Sequence, residues 1–226
     1  MSFTPGNRPP RVRGIVGLYG LTPEWDDIDR LENAVVQAVR GGLQALQLRR
    51  KLASGARLRV EAERLRDVCR REGVIFIIND DWQLALDIGA DGVHVGRDDA
   101  NEATVSRLVA AGLNVGVSCY NDLERVRWAL AAGAQNVALG SVYPSPTKPA
   151  AVRVGLETIR QARRLCESMA QDGARASVIA IGGIEPNNAA PVAAAGADAV
   201  AVINGLFEQP DIERAARTLC EAMAPR

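Results

Sequence analysis

The chain has 226 residues, and its 27 basic side chains are balanced by 27 acidic ones, so its formal net charge is zero. Hydrophobic residues make up 47% of the sequence and charged residues 24%, proportions typical of a globular protein with a sizeable core. The balanced charge argues against a nucleic-acid-binding surface, and no apolar run is long enough to cross a membrane. The four cysteines are far apart and the N-terminal residues contain no secretory signal, so we expect reduced thiols and a cytoplasmic location.

The first 13 residues contain three prolines and three arginines and are expected to form a disordered leader. From residue 14 onward a pattern recurs, in which a helix-like stretch ends at glycine and a short apolar run follows. Glycine is expected just after a helix because the chain there often adopts a positive φ. The pattern predicts strands within GIVGLYG (14–20), GGLQALQL (41–48), EGVIFII (72–78), GADGVHV (89–95), AGLNVGV (111–117), AGAQNVAL (132–139), DGARASVIAI (172–181) and GADAVAVI (196–203).

The segments between these runs have the period of amphipathic helices. Apolar residues recur on one face of 28–39 and of 58–69. Asn121, followed by Glu124, predicts a capped helix start before Val126. The predicted strands are apolar throughout, as expected for a parallel sheet that is covered on both faces.

Consecutive strand–helix units over residues 14–226 favour an α/β fold of one domain, a (β/α)8 TIM barrel. The alternative is an open doubly wound sheet. That fold is less favoured because no GxGxxG motif follows the first predicted strand.

Polar residues and glycines follow most of the predicted strands, at the end of a barrel where active sites form. The planar guanidinium of Arg49 can donate to two oxygens at once, and the ammonium of Lys51 is a compact positive charge. Together they suit an oligophosphate. Asp80 and Asp99 are carboxylates of the kind that bind Mg²⁺ together with substrate phosphate. The glycine pair at 182–183 and the turn after the last strand are where barrels hold phosphate on backbone N–H groups. Two phosphate sites, one with a metal ion, indicate a reaction that joins or splits two phosphorylated molecules.

Each signal also has a purely structural interpretation. The basic run at 49–51 is consistent with a solvated loop, Asp80 or Asp81 with a helix cap, and the glycine pair with a tight turn. His94 alternates with valines, so it either points into the barrel or is a satisfied core side chain, and Cys119 is expected to fill space in the core. The coincidence of these groups at one rim favours the functional interpretation.

Six segments carry a resemblance to a known family: QLRRK (47–51), IINDDWQLALDIGADGVHVGRDD (77–99), GVS (116–118), GSVYPSPTK (140–148), VGLE (154–157) and AIGGIEPNN (180–188). Over about residues 14–208 the chain resembles the thiamine phosphate synthases. The resemblance implies that the chain joins 4-amino-5-hydroxymethyl-2-methylpyrimidine diphosphate to a thiazole phosphate and releases pyrophosphate. It further implies Mg²⁺ as cofactor and a dissociative substitution, in which the bond to the diphosphate breaks first.

The resemblance also implies roles for individual residues. The implied catalytic residues are Arg49, Lys51, Ser118 and Lys148. The implied pyrimidine diphosphate contacts are Gln47, Leu48, Arg49, Arg50, Lys51, Asn79, Ser118 and Lys148. The implied thiazole phosphate contacts are Ser145, Pro146, Thr147, Gly183, Ile203 and Asn204, and the implied metal ligands are Asp80 and Asp99. The expected partners are these small molecules, and the sequence does not decide whether the chain also forms a homo-oligomer.

Four positions depart from the usual residues of this family. Leu48 replaces a tyrosine and, by alternation with its neighbours, is expected to face the helices. Arg97 replaces a glutamine and adds a cation near the predicted metal site. Asn204 replaces a serine in the predicted thiazole phosphate site, and Tyr120 occupies a position where relatives often have histidine.

Two other functions are alternatives. A thiazole tautomerase, a relative of this family, would need a general base at the end of the fifth strand and would lack the diphosphate cluster. Tyr120 at that position and the presence of Arg49 and Asp80 argue against it. A non-catalytic phosphate sensor would gain little from carboxylates that serve a leaving group. Both comparisons favour the transferase.

Overall fold

The computed structural model describes residues 14–145, 152–170 and 173–224. The expected leader, residues 1–13, lies outside the described residues, as do Pro146, Thr147 and Lys148. Within the described ranges, strands and helices alternate along the chain as far as the last strand, which two helices follow. No helix in this part of the chain has the length and apolar character needed to span a membrane.

Parallel strands close into a barrel in chain order, with the last strand paired to the first. The strands are β1 (Gly17–Leu21), β2 (Ala45–Leu48), β3 (Ile75–Asn79), β4 (Gly92–Val95), β5 (Asn114–Tyr120), β6 (Asn136–Gly140), β7 (Ser177–Ile181) and β8 (Ala199–Val202). The helices are α1 (Ile28–Arg40), α2 (Gly55–Glu72), α3 (Trp82–Ile88), α4 (Glu102–Ala110), α5 (Leu123–Ala131), α6 (Leu156–Ser168), α7 (Ala189–Ala194), α8 (Asn204–Phe207) and α9 (Ile212–Met223). The predicted (β/α)8 barrel is confirmed, and every predicted strand overlaps an observed one.

The core has two layers because successive strand residues point to opposite faces of the sheet. Phe76 and Ile78 of β3 face outward and are buried against the helices. Ile77, between them, faces inward and packs with Tyr19 and Ile179 in the centre of the barrel. The inner layer fills the barrel towards the amino ends of the strands, and a cavity remains at their carboxyl ends.

The ends of the helices are capped by short polar side chains and by glycine. Helix α2 ends at Gly73, whose φ of 71° lies in the left-handed region that glycine tolerates. The predicted cap at Asn121 is wrong by one residue, because Asp122 caps α5 by accepting a hydrogen bond from the N–H of Arg125. A turn in which the N–H of Asp122 donates to the carbonyl of Cys119 moves the helix start forward.

Candidate active site

A cavity of about 480 Å³ lies at the carboxyl ends of the strands, and all eight strands or the loops that follow them contribute to its lining. Its two sides differ in composition. The polar wall, from β2 to β5, consists of Gln47, Arg49, Asn79, His94, Ser118 and Tyr120. The glycine wall, from β6 to β8 and the loops after them, includes Gly140, Gly182, Gly183, Ile203, Asn204 and Gly205.

The base of the polar wall is held by side-chain hydrogen bonds between neighbouring strands. Gln47 Nε2 donates to the hydroxyl of Tyr19 over 2.7 Å, and burial raises the pKa of Tyr19 well above its usual range, so the phenol stays neutral. His94 Nε2 and Ser118 Oγ are 2.9 Å apart. His94 therefore faces the barrel interior and lines the cavity. The resemblance assigned no role to Tyr19 or His94, and the alternation of His94 with valines left its direction open.

The loop between β1 and α1 positions Arg49. The N–H of Arg49 donates to Thr22 Oγ1 over 2.9 Å, and the Arg49 guanidinium lies 3.7 Å from Glu24 Oε1. The same Glu24 oxygen accepts a hydrogen bond from the backbone N–H of Lys51 at 2.8 Å. These contacts fix the start of the loop after β2 while leaving the Arg49 side chain at the cavity.

The side chains of Leu48 and Arg50, both predicted to contact the pyrimidine diphosphate, point away from the cavity. Leu48 is buried between the sheet and the helices. The Arg50 side chain is 1% exposed, its Nε lies 2.8 Å from Glu61 Oε2, and it also pairs with Glu24 and Asp26 at 3.5 Å. The reason is alternation: Gln47 and Arg49 point inward, and the residues after each of them point away from the cavity.

The two predicted metal ligands lie close together beside the polar wall. Asp81 caps α3 by accepting from the N–H of Leu84, which leaves Asp80 available for another role. Burial, reinforced by the charge of Asp99, raises the pKa of Asp80, and the nearby charge of Lys51 opposes that rise. Asp80 also has a φ of 63°, an uncommon backbone conformation for a residue other than glycine.

This pair of carboxylates fits a magnesium ion. Two neighbouring carboxylates, here the half-buried Asp80 and the exposed Asp99, destabilise one another unless a proton or a cation lies between them. Among the described residues, no cluster of three or more acidic, histidine or cysteine side chains could enclose a metal ion. Asp80 and Asp99 would therefore share the ion with substrate oxygens and water, which is the coordination that Mg²⁺ prefers. Lys51, which is exposed, lies outside the cavity lining but near Asp80.

The glycine wall is built from closely approaching backbone. Gly182 and Gly183 have φ values of 102° and 62°, and a Cβ on Gly183 would overlap the carbonyl oxygen of Pro144. Asn188 holds the loop after β7 in place. Its Nδ2 donates to the Gly183 carbonyl over 3.0 Å, and its backbone carbonyl accepts from the hydroxyl of Tyr143, also over 3.0 Å. Only glycine allows the loop to come this close to the cavity.

The predicted thiazole phosphate contacts that the structure describes all line the cavity; they are Ser145, Gly183, Ile203 and Asn204. Asn204 begins the short helix α8. This helix is connected to the loop after β1, because Trp25 Nε1 donates to Glu208 Oε1 over 3.0 Å and the Trp25 ring meets Phe207 edge-on.

The cysteines contribute no reactive group to this cavity. All four are free thiols, and Cys119 is buried in the outer core as predicted. Burial raises the pKa of Cys69, Cys119 and Cys166 to about 12, so these thiols stay protonated at neutral pH.

Comparison with known proteins agrees with the resemblance seen in the sequence. A family model described as thiamine monophosphate synthase matches residues 18–206. The thiamine-phosphate synthase of Bordetella pertussis is 56% identical over 94% of this chain and 97% of its own length. That of Chromobacterium violaceum is 47% identical over 93% of this chain and 96% of its own length. The solved structure of a thiamine phosphate pyrophosphorylase from Pyrococcus furiosus has a TM-score of 0.77 and 30% identity, covering 92% of this chain and 95% of that one. The chain therefore belongs to the thiamine monophosphate synthase family.

Proposed function

We propose that this chain is a transferase that joins 4-amino-5-hydroxymethyl-2-methylpyrimidine diphosphate to a thiazole phosphate, forming thiamine phosphate and releasing pyrophosphate. One observation carries the proposal: a single cavity is lined on one wall by expected diphosphate contacts and on the other by expected thiazole phosphate contacts. The first set is Gln47, Arg49, Asn79 and Ser118, and the second is Ser145, Gly183, Ile203 and Asn204. Two substrates held in one cavity react as if they were parts of one molecule, which removes much of the entropic cost of their encounter. The two relatives, both named thiamine-phosphate synthase, support the same reaction.

The diphosphate belongs at the polar wall. The Arg49 fork suits a pair of phosphate oxygens, and the Asn79 amide on β3 and the Ser118 hydroxyl on β5 supply neutral donors. Lys51 adds a point charge next to the carboxylate pair. Lys148, whose predicted role is the same, lies outside the described residues.

Asp80 and Asp99 would hold the Mg²⁺ ion. When bound, the ion would neutralise charge that develops on the diphosphate oxygens. The chain's own contribution is to place two hard oxygen donors side by side and to add the Lys51 cation.

The reaction needs charge stabilisation rather than a protein nucleophile. The bond between the pyrimidine methylene carbon and the diphosphate oxygen breaks, and both bonding electrons leave with pyrophosphate. The thiazole nitrogen then gives its lone pair to the methylene carbon, and this nitrogen becomes the positive centre of the product. No proton has to move, so fixed cations around the leaving group and the orientation of the acceptor are what the chain must supply.

The thiazole phosphate belongs at the glycine wall. Backbone N–H groups near Gly183 and at the start of α8 are suited to a phosphate that keeps its charge during the reaction. Asn204 would add a side-chain amide where relatives use a hydroxyl. We also propose that the reaction takes place in the cytoplasm, where four free thiols would stay reduced.

The test is a coupling assay on the purified chain with both substrates, with and without Mg²⁺. We expect thiamine phosphate and pyrophosphate in equal amounts, loss of both when a chelator removes the metal ion, and recovery when Mg²⁺ is added back. Conversion of the thiazole phosphate alone would indicate a tautomerase instead. Binding of both substrates without turnover would indicate a sensor.

A further inference from the structure

Arg97 contacts Tyr120 of the polar wall, and neither residue has a role in the proposed reaction so far. Arg97 lies in the loop between β4 and α4, and Tyr120 is the last residue of β5. The guanidinium carbon of Arg97 is 5.5 Å from the centroid of the Tyr120 ring, within the range of a cation–π interaction. The guanidinium is also 3.7 Å from Asp122 Oδ2. Two contacts thus hold Arg97 over the ring.

The backbone at Tyr120 is shaped to direct its side chain. The register between β5 and β6 shifts between Ser118 and Tyr120, and Tyr120 has a φ of 56°. Bulges of this kind re-aim side chains next to active sites, and a left-handed conformation at a bulky residue persists only where surrounding contacts hold it. Here Arg125 Nε donates to the Ser118 carbonyl over 2.7 Å, and Tyr120 lines the cavity.

The Tyr120 hydroxyl lies on the side of the cavity where the carboxylate pair is. An ideal Cβ on Gly96 would be 2.6 Å from Asp99 Oδ2 and 3.8 Å from the Tyr120 hydroxyl oxygen, so both groups lie close to Gly96. The N–H of Gly96 donates to Asp99 Oδ2 over 2.8 Å, and its carbonyl accepts from Arg125 over 2.9 Å. Hydrogen bonds therefore hold the loops after β4 and β5 together.

We propose that Tyr120 is a further binding residue for the diphosphate, with its hydroxyl donating a hydrogen bond to a phosphate oxygen, and that Arg97 is a positioning residue that holds the ring. The inference rests on the proposed function, since the diphosphate is its ligand. Carboxylate oxygens such as those of Asp80 and Asp99 accept hydrogen bonds, so a tyrosine O–H beside them provides a donor that they cannot. The Arg97 side chain is 58% exposed, so its effect on the ligand is expected to act mainly through the ring it holds.

The experiment measures binding of inorganic pyrophosphate in the presence of Mg²⁺ by calorimetry. Tyr120→Phe removes the hydroxyl and keeps the ring, and we expect about tenfold weaker binding, as for the loss of one hydrogen bond to a charged group. Arg97→Gln should weaken binding about threefold, and Arg97→Lys, which keeps the cation over the ring, should restore most of it. The matched control is Arg127→Gln, which removes an exposed arginine of α5 that pairs with Glu124 at 3.4 Å, and binding should not change.

The double variant tests whether Arg97 acts through Tyr120. If it does, Arg97→Gln should cost little once the hydroxyl is absent, so the combined loss should stay near tenfold. A combined loss equal to the product of the single losses would overturn the positioning role. In the coupling assay, Tyr120→Phe should raise KM for the pyrimidine diphosphate and leave KM for the thiazole phosphate unchanged, whereas an equal rise in both would overturn the assignment.

Failure of this inference can be distinguished from failure of the proposed function. If the unmodified chain does not bind pyrophosphate with Mg²⁺, both are overturned. If it binds pyrophosphate and Tyr120→Phe binds equally well, only the role of Tyr120 is overturned.

Discussion

The two walls of the cavity are suited to phosphate groups in different ways. The polar wall presents side chains from neighbouring strands, with a pair of carboxylates and the Lys51 cation beside it. The glycine wall presents backbone, brought close by residues without a Cβ. The difference matches the proposed chemistry, because the diphosphate gains charge as it leaves and the thiazole phosphate does not. Changes to the polar wall should therefore alter turnover, and changes to the glycine wall should alter the binding of one substrate.

The largest expected effect is at the carboxylate pair. Asp80→Ala should lower kcat of the coupling reaction on the order of 10²–10³-fold, because the leaving diphosphate loses stabilisation that it needs only in the transition state. The fold should be retained, since the side chain is at the rim, and circular dichroism checks this. Turnover within a few-fold of the unmodified chain would contradict the metal assignment.

The neighbouring residue provides the control. Asp81→Ala removes the cap of α3 and should lower the free energy of unfolding by about 1 kcal/mol, measured by urea denaturation. Its kcat should stay close to that of the unmodified chain. If the two variants lost turnover equally, the separation of cap and metal ligand would be wrong.

Adjacent arginines give the second contrast. Arg49→Ala should lower kcat/KM for the pyrimidine diphosphate by about 10² and change KM for the thiazole phosphate little, because only the first substrate faces this side chain. Arg50→Ala should instead lower the free energy of unfolding by about 2 kcal/mol, since the buried Glu61 carboxylate loses its buried partner and keeps only the exposed Arg57. Steady-state kinetics with each substrate varied in turn, together with denaturation, separates the two effects. An equal loss for both substrates in Arg49→Ala would mean that the walls are not divided as we describe.

A smaller effect is expected at the glycine wall. Gly183→Ala should raise KM for the thiazole phosphate about tenfold, because the added Cβ meets the carbonyl of Pro144 and displaces the loop. Gly73→Ala is the control, since Gly73 has a similar φ of 71° but its Cβ would have nothing within 4 Å. It should carry the same backbone strain without a change in KM. If Gly183→Ala instead raised KM for the pyrimidine diphosphate, the result would argue against the glycine wall as the thiazole phosphate site.

The smallest effect is expected at Asn204. Asn204→Ala should change KM for the thiazole phosphate by no more than about threefold, because the backbone donors around it remain. Asn204→Ser, which restores the residue usual in relatives, should fall in the same range. A loss of tenfold or more in the alanine variant would show that side chains, not backbone, dominate binding at this wall.

The barrel was predictable because its signals are local. Glycines such as Gly73 and Gly89 end helices in the left-handed conformation, and an apolar strand begins within a few residues of each. Helix caps were harder, because Asn121 and Asp122 are both good caps and a turn back to Cys119 decides between them. A local pattern finds the helix but not its first residue.

The site was only partly predictable, for a similar reason. The run at 47–51 forms one cluster in the sequence, yet alternation sends Arg50 away from the cavity, to partners such as Glu61 on α2. The contact between Gln47 and Tyr19 joins residues 28 positions apart, and no spacing rule reveals it. Which of Asp80 and Asp81 caps the helix likewise depends on the backbone turn at the end of β3.

Glu24 and Trp25 are neighbours in the chain, yet they hold different walls. Glu24 fixes the loop that carries Arg49, and Trp25 fixes α8 through Glu208. A single short segment thus contacts both walls. Inserting or deleting residues in it should disturb both walls at once, whereas exchanging one side chain that lines either wall should disturb that wall alone.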